Sequence, residues 1–316
     1  MAGMNSLFAS LRAALRPADA GGSDHVPPPH PHSPPAAGPR RQPPSTVEEL
    51  EQELLLEAVF QVYGYDFRGY QRDVVSRRLQ AAMAQKPVDT ISAMQALVLH
   101  DQQAWNALLR ELSVEPALMF DDASEVSLLR MSLGVCLHGA ALPRVWLADC
   151  AGAQQAWTMA ILLEQEQLGA RTEIYATVSS DALLAEAQAA SLPMARLGEL
   201  QANYVRCGGV GKLLDYFEVS GDGLHAVLMP QLRSRITWAQ YNLVTDASFN
   251  EFQMIVGRRA LPDFGPALRQ RVLQLFDDSL AQSGLLVLDR PLEAGDPLAG
   301  HYKPVFPHQP WYKRVA

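Results

Sequence analysis

The hydrophobic period of this 316-residue chain changes once, and that change constrains the fold more than any other feature. From Thr46 apolar residues recur at three-to-four spacing, as they do along helices that bury one face. Ser45 or Thr46 can cap the first helix, and Glu48, Glu49 and Glu51 lie where the helix dipole favours anions. Leu50, Leu54, Leu55, Ala58, Val59 and Val62 give its apolar stripe, which Gly64 breaks. A second helix is expected over 68–83, with Val74, Val75 and Leu79 inward and Arg72, Arg77 and Arg78 outward. Two more are expected over 89–100 and 102–112. From about Pro143 short apolar runs take over: VWLADC from 145, TEIYATV from 172, MIVG from 254 and GLLVLD from 284. Helical stretches over 154–167, 181–190 and 266–281 separate them. Strands alternating with helices predict a mostly parallel sheet with crossover helices. The segment 213–243, turning at Ser220–Gly223, reads as a small antiparallel insertion.

Composition narrows the function classes. The chain is 48% hydrophobic and 19% charged, an ordinary globular balance. Its net charge of −8 argues against a chain-wide nucleic-acid surface. Three scattered cysteines, Cys136, Cys150 and Cys207, suit neither a disulfide framework nor a zinc site, so no metal is expected and a reducing cytoplasm is the expected compartment. No apolar run reaches the 18 or so residues of a transmembrane segment. Residues 17–46 hold ten of the 22 prolines and almost no large apolar side chain, the composition of a disordered linker. Ahead of it Met4, Leu7, Phe8, Leu11 and Leu15 fall at helical spacing. The expected division is 1–45 for this helix and linker, 46–120 for a helical domain, and 121–316 for the sheet-bearing domain.

In a Rossmann-like sheet the loop after the first strand is where a nucleoside cofactor sits, on glycines that allow close backbone approach, with a carboxylate at the tip of the next strand for the ribose. Here the loop reads Asp149-Cys150-Ala151-Gly152-Ala153-Gln154-Gln155 and the next strand ends Thr177-Val178-Ser179-Ser180. The loop has one glycine and the strand tip has no acid. Arg233, Arg235 and the pair Arg258-Arg259 could hold a phosphate or form ordinary ion pairs.

Six blocks in order carry a resemblance. They are Tyr63-Gly64-Tyr65-Asp66-Phe67 with Tyr70 and Arg77-Arg78; Leu112-Ser113-Val114 with Phe120 and Asp122; Val145-Trp146 with Ala148, Cys150, Ala156-Trp157 and Met159-Ala160; Ile174 with Ala176-Thr177; Asn242-Leu243; and Phe252, Ile255, Arg258, Leu261, Phe264 and Pro266. Together they resemble the CheR family of chemotaxis receptor methyltransferases, which are S-adenosylmethionine-dependent protein-glutamate O-methyltransferases. The resemblance covers about residues 50–316. It implies an α/β, Rossmann-like methyltransferase fold with a small antiparallel β-insertion, preceded by a helical domain.

The departures from the family pattern fall on the polar positions. The acidic pair of the first loop is Gln154-Gln155, the ribose aspartate is Val178, and the glycine before the cysteine is Asp149. The arginine and tyrosine that the family places around the transferring methyl fall on Asp121 and Asp263; its asparagine after Arg258 falls on Arg259. Only Asn242-Leu243 persists. A hydrogen bond to a charged group contributes about 1.5–3 kcal/mol. Two such losses imply a degenerate cofactor pocket at Asp149, Gln154, Gln155, Val178, Asn242 and Leu243. No convincing catalytic residue and no bound cofactor are then expected, and the partner would be a protein such as a chemoreceptor or another signalling protein. The alternative is an active methyltransferase that binds S-adenosylmethionine through a divergent site.

Overall fold

In the computed structural model the described residues are 46–113, 117–150, 152–258, 261–292, 295–296 and 298–315. The expected N-terminal helix and linker, and Arg259, lie outside them.

Four helices come first: α1 (Val47–Tyr63), α2 (Arg72–Ala84), α3 (Ile91–His100) and α4 (Gln102–Leu112). The Thr46 hydroxyl accepts from the Glu49 N–H at 3.1 Å, as its capping position predicts, and Gly64 at φ 78° ends α1. Thr90 and Asp101 cap α3 and α4 in the same way. Leu55, Val59, Val75, Leu79, Met94, Val98, Trp105 and Leu108 form the core among them, and Tyr63 stacks on Trp105 with ring centres 4.2 Å apart.

The sheet follows α5 (Ala123–Leu137). Its strands are β1 (Arg144–Leu147), β2 (Glu173–Val178), β6 (Ile236–Gln240), β7 (Phe252–Val256), β8 (Leu280–Val287), β9 (Tyr302–Pro304) and β10 (Trp311–Arg314), in the order β6-β2-β1-β7-β8-β10-β9. The first five are parallel; β10 and β9 close one edge antiparallel. The crossovers are α6 (Ala153–Gln165), α7 (Asp181–Gln188) and α8 (Leu197–Arg206) before β6, and α10 (Pro266–Ser279) before β8. A second sheet orders β3 (Leu192–Pro193), β5 (His225–Leu228) and β4 (Phe217–Val219), followed by the single turn α9 (Pro230–Arg233).

Alternation along the strands sorts the side chains into two cores, as a period of two requires. Val145, Leu147, Ile174, Ala176, Val178, Met254 and Val256 face one side with α5 and α6. Trp146, Ala148, Ile255, Leu286 and Leu288 face the other, with Val272 and Phe276 of α10. Trp146 is fully buried and its indole N–H donates to the Thr177 hydroxyl at 2.9 Å.

The expected insertion over 213–243 is corrected in part. Only β4 and β5 are antiparallel; residues 236–240 form the edge strand of the main sheet, parallel to β2, and Leu192–Pro193 joins the small sheet from upstream. A strand pairs with whatever edge its register allows, which local alternation does not specify. Among the described residues no helix is long and apolar enough to cross a membrane.

Candidate functional site

Polar residues at the carboxyl ends of the parallel strands gather in three places. The first is the loop after β1. Ala148 N–H donates to the Val256 carbonyl at 3.0 Å and Cys150 N–H to that of Thr177 at 2.6 Å, so this loop is tied to the ends of β7 and β2. Asp149 stands at φ 53°, in the left-handed region that aspartate tolerates better than most residues. The family pattern has glycine there, so the loop keeps its backbone shape and gains a carboxylate. Gly152, at φ 100°, precedes α6, and a β-carbon added to it would meet nothing within 4 Å.

Asp149 is half-buried, within the field of Asp263 and Arg78. Burial, then the charge of Asp263, push its carboxyl pKa up to about 6 against the pull of Arg78. Asp263 is also raised by burial, which outweighs the Arg78 guanidinium beside it. Arg78 pairs with Asp263 and donates to the Leu112 and Ser113 carbonyls at 2.6 and 3.0 Å. The Tyr70 phenol, buried in the same field, is held protonated by burial and then by Asp149 and Asp263. Backbone bonds frame the cluster: Gln71 N–H to the Asp263 carbonyl and Gly265 N–H to that of Gly69, both at 2.8 Å. A β-carbon at Gly265 would lie 2.8 Å from the Gly69 oxygen, so the two segments meet this closely only because residue 265 has none.

The outward placing of Arg78 is therefore corrected. Its side chain is 18% exposed, while Arg72 and Arg77 are on the surface. Helix α2 packs on the loop 261–265 as well as on α4, and that second cover comes from nearly two hundred residues downstream.

The second place joins Asp121 and Gln155. With Glu125, Thr158 and Arg258 they line a cavity of about 40 Å³, room for a few waters and far too small for a nucleoside. The Arg258 guanidinium pairs with Glu125 and lies 3.9 Å from Asp122. Gln154 is already used: its side-chain oxygen accepts from Met119 N–H at 3.0 Å, and the Thr158 hydroxyl accepts from Phe120 N–H at 3.4 Å. Arg235 pairs with Glu164 at 2.6 Å, so two of the four arginines considered for phosphate, Arg235 and Arg258, have carboxylate partners.

The third place joins Val178 to Asn242 and Leu243. The Val178 carbonyl accepts from Tyr241 N–H at 2.9 Å where β6 ends. Val178 is fully buried, on the core face with Ile174 and Ala176. Asn242 is folded on its own loop: its side-chain oxygen accepts from Val244 N–H and its N–H donates to the Asp246 carboxylate, each at 2.9 Å. Cys150 is buried with its thiol pushed up to about 12 by burial and then by the Asp149 charge, which makes it a packing residue.

S-adenosylmethionine would need an acceptor for its ribose diol and groups for its two cationic centres. The residue at the ribose position is apolar and sealed, the Gln154 oxygen is occupied, and Asp263 is held by Arg78. Beside these, the floor next to Gly152 is open and the Asp149 carboxyl stands at the start of the loop, so the described residues do not fit the cofactor in the manner the family pattern implies. The cluster of Arg78, Asp263 and Asp149 escaped sequence reasoning. Its one signal is that an acid replaces a tyrosine in a chain that keeps the paired arginines, and no local period reports that such residues meet.

Comparison with known proteins agrees with the fold. Residues 129–290 match the CheR methyltransferase SAM-binding domain and residues 50–113 the CheR all-alpha domain. The chain is 34% identical over 240 residues to the Pseudomonas putida protein named "Putative methyltransferase Cher3", covering 76% of this chain and 87% of that one. It is 28% identical over 145 residues to a chemotaxis protein methyltransferase of Listeria innocua, covering 46% of this chain and about half (52%) of the relative. The glycopeptide N-methyltransferase MtfA superposes with a TM-score of 0.33 at 17% identity, over 60% of this chain and 62% of its own, too slight a likeness to add to the argument. On the two domain matches and the Pseudomonas relative, this chain belongs to the CheR methyltransferase family.

Proposed function

We propose that this CheR-family chain has lost S-adenosylmethionine binding and methyl transfer, and that it acts as a regulatory or protein-interaction module in bacterial signalling. The observation that carries the reading is the sealed tip of β2. Val178, apolar and with no exposed surface, stands where the family pattern places the ribose carboxylate, so the hydrogen-bonding group is gone. The pairing of Asp263 with Arg78 and the 40 Å³ left between Asp121, Gln155 and Arg258 support it. Methyl transfer depends on positioning and on a complementary field. Acids at both positions around the methyl would oppose a glutamate substrate. The Listeria relatives' names point to a chemoreceptor, or a protein of the same signalling system, as the partner.

One observation favours the alternative of an active enzyme with a divergent site: the loop floor beside Gly152 is open and Asp149 stands at its start. Calorimetric titration of the full chain with S-adenosylmethionine decides between them. No heat at millimolar cofactor is the expected result, and a micromolar isotherm overturns the proposal.

A further inference from the structure

A cavity of about 660 Å³ opens at the opposite edge of the sheet, at the amino ends of β7 and β8. Its volume lies within the range of small-molecule sites, about 300–1,000 Å³. One wall is the second half of α5, with Met131, Val135 and Cys136; the facing wall is Val305 and Phe306, just after β9. The floor is a bulge. Phe252 pairs with Leu280 and Met254 with Leu285, so Ala281–Gly284 have no register partner in β7, and Ser283 sits at φ 66°. Bulges of this kind re-aim side chains and often adjoin functional sites.

Most of the polar side chains at this cavity are able to donate. Ser132, 4% exposed, has a buried hydroxyl with no hydrogen-bond partner. A buried polar group left so costs stability unless something satisfies it. Cys136 is one turn further along the same face of α5, and the Lys313 charge acts on its thiol. Lys313, exposed and in register with Leu285 of β8, lines the same cavity as the unpaired hydroxyl. Gln253 gives its side-chain oxygen to Arg144 N–H at 2.7 Å, which leaves its amide nitrogen to donate. The one acid of the lining, Glu251, is exposed at the rim. Met131 and Val135 are 63% and 84% exposed, large apolar side chains kept at a surface that a second apolar body would cover.

We propose that this cavity binds a small amphipathic carboxylate, with an aliphatic body against Met131, Val135 and Phe306 and its head on Lys313 and Ser132. Donors converge on an apolar cavity, and an acceptor head with an apolar chain is the ligand class that satisfies both. The site lies away from the cofactor loops and does not depend on whether the chain is an enzyme.

The test uses decanoate and decanol, which share the chain and differ in the head, in calorimetric titrations of the full protein. Decanoate is expected to bind saturably at one site, and decanol at least tenfold more weakly. Lys313→Glu is expected to weaken decanoate at least tenfold while leaving the melting temperature and decanol affinity unchanged. Met131→Glu, at an exposed position, is expected to weaken both. Equal binding of the two probes, no saturable binding below 1 mM, or indifference to Lys313→Glu overturns the proposal. So does a wild-type dimer that Met131→Glu makes monomeric, since a second copy would then cover the cavity. Sedimentation with anionic phospholipid vesicles that Met131→Glu abolishes would place the chemistry on a membrane instead, which also overturns it.

Discussion

At the carboxyl ends of β1, β2 and β7 most of the polar side chains are closed on one another, whereas at the amino ends of β7 and β8 a buried hydroxyl stands unused. Arg78 is consumed by Asp263 and two carbonyls, Gln154 by Met119, and Asn242 by its own loop. Across the sheet Ser132 has a buried hydroxyl without a partner beside a 660 Å³ cavity. In parallel sheets ligands bind at the carboxyl edge. Here that edge is satisfied from within, and a satisfied polar cluster resists opening because each group would lose its partner.

The largest test of this contrast is Val178→Asp, which restores the acid of the family pattern. A carboxylate placed at a fully buried position beside Ile174 and Ala176 has no partner, and a cost of about 3 kcal/mol or more is expected in urea unfolding. A stable variant would show that the tip of β2 faces an open cleft.

Arg78→Met comes next. It removes the cation that pairs with Asp263 and also acts on Asp149, so about 2–3 kcal/mol of destabilisation is expected at pH 7.5, on the scale of broken, mostly buried pairs. Adding Asp263→Asn should recover a large part of it. If the double variant is no better than the single one, the cluster is not closed on itself as described.

Asp149→Asn should stabilise the protein. The folded Asp149 carboxyl titrates near 6 and the unfolded one near 3.8. Below about pH 4 both states hold the proton and the group contributes nothing. Between pH 4 and 6 the folded state keeps a proton that the unfolded state releases, so stability falls as pH rises, and the loss is complete above 6. A half-exposed carboxyl is partly screened, which sets the expected gain at pH 7.5 at about 1–2 kcal/mol, vanishing below pH 4. Asparagine also tolerates the left-handed backbone at this position. A gain that persists at pH 3.5 would point to the backbone instead of the charge. Smallest is Met131→Lys at the other edge, where a change within about 0.5 kcal/mol is expected, because a side chain 63% exposed has little to lose.

Most of the fold could be read from the chain. The helices over 47–112 show through their caps and apolar stripe, and β1, β2 and β7 through short apolar runs, because both signals are local. The hairpin of β9 and β10 and the edge position of β6 could not be read this way. The hairpin's strands are three and four residues long, and β6 is placed by pairing with β2, sixty residues earlier. The candidate site was legible as a set of substitutions at Asp121, Asp149, Gln154, Gln155, Val178 and Asp263. What those residues do instead was not.

The sequence by itself determined the helical and sheet-bearing parts and the membership of a methyltransferase family, since each rests on the order of residue types along the chain. Tertiary structure decided that Arg78 is buried against Asp263, that Val178 is sealed, and that a bulge in β8 opens a cavity below the sheet. The reason is distance. Burial and charge pairing depend on which surfaces close over a residue, and here Arg78 meets Asp263 from 185 positions away in the chain.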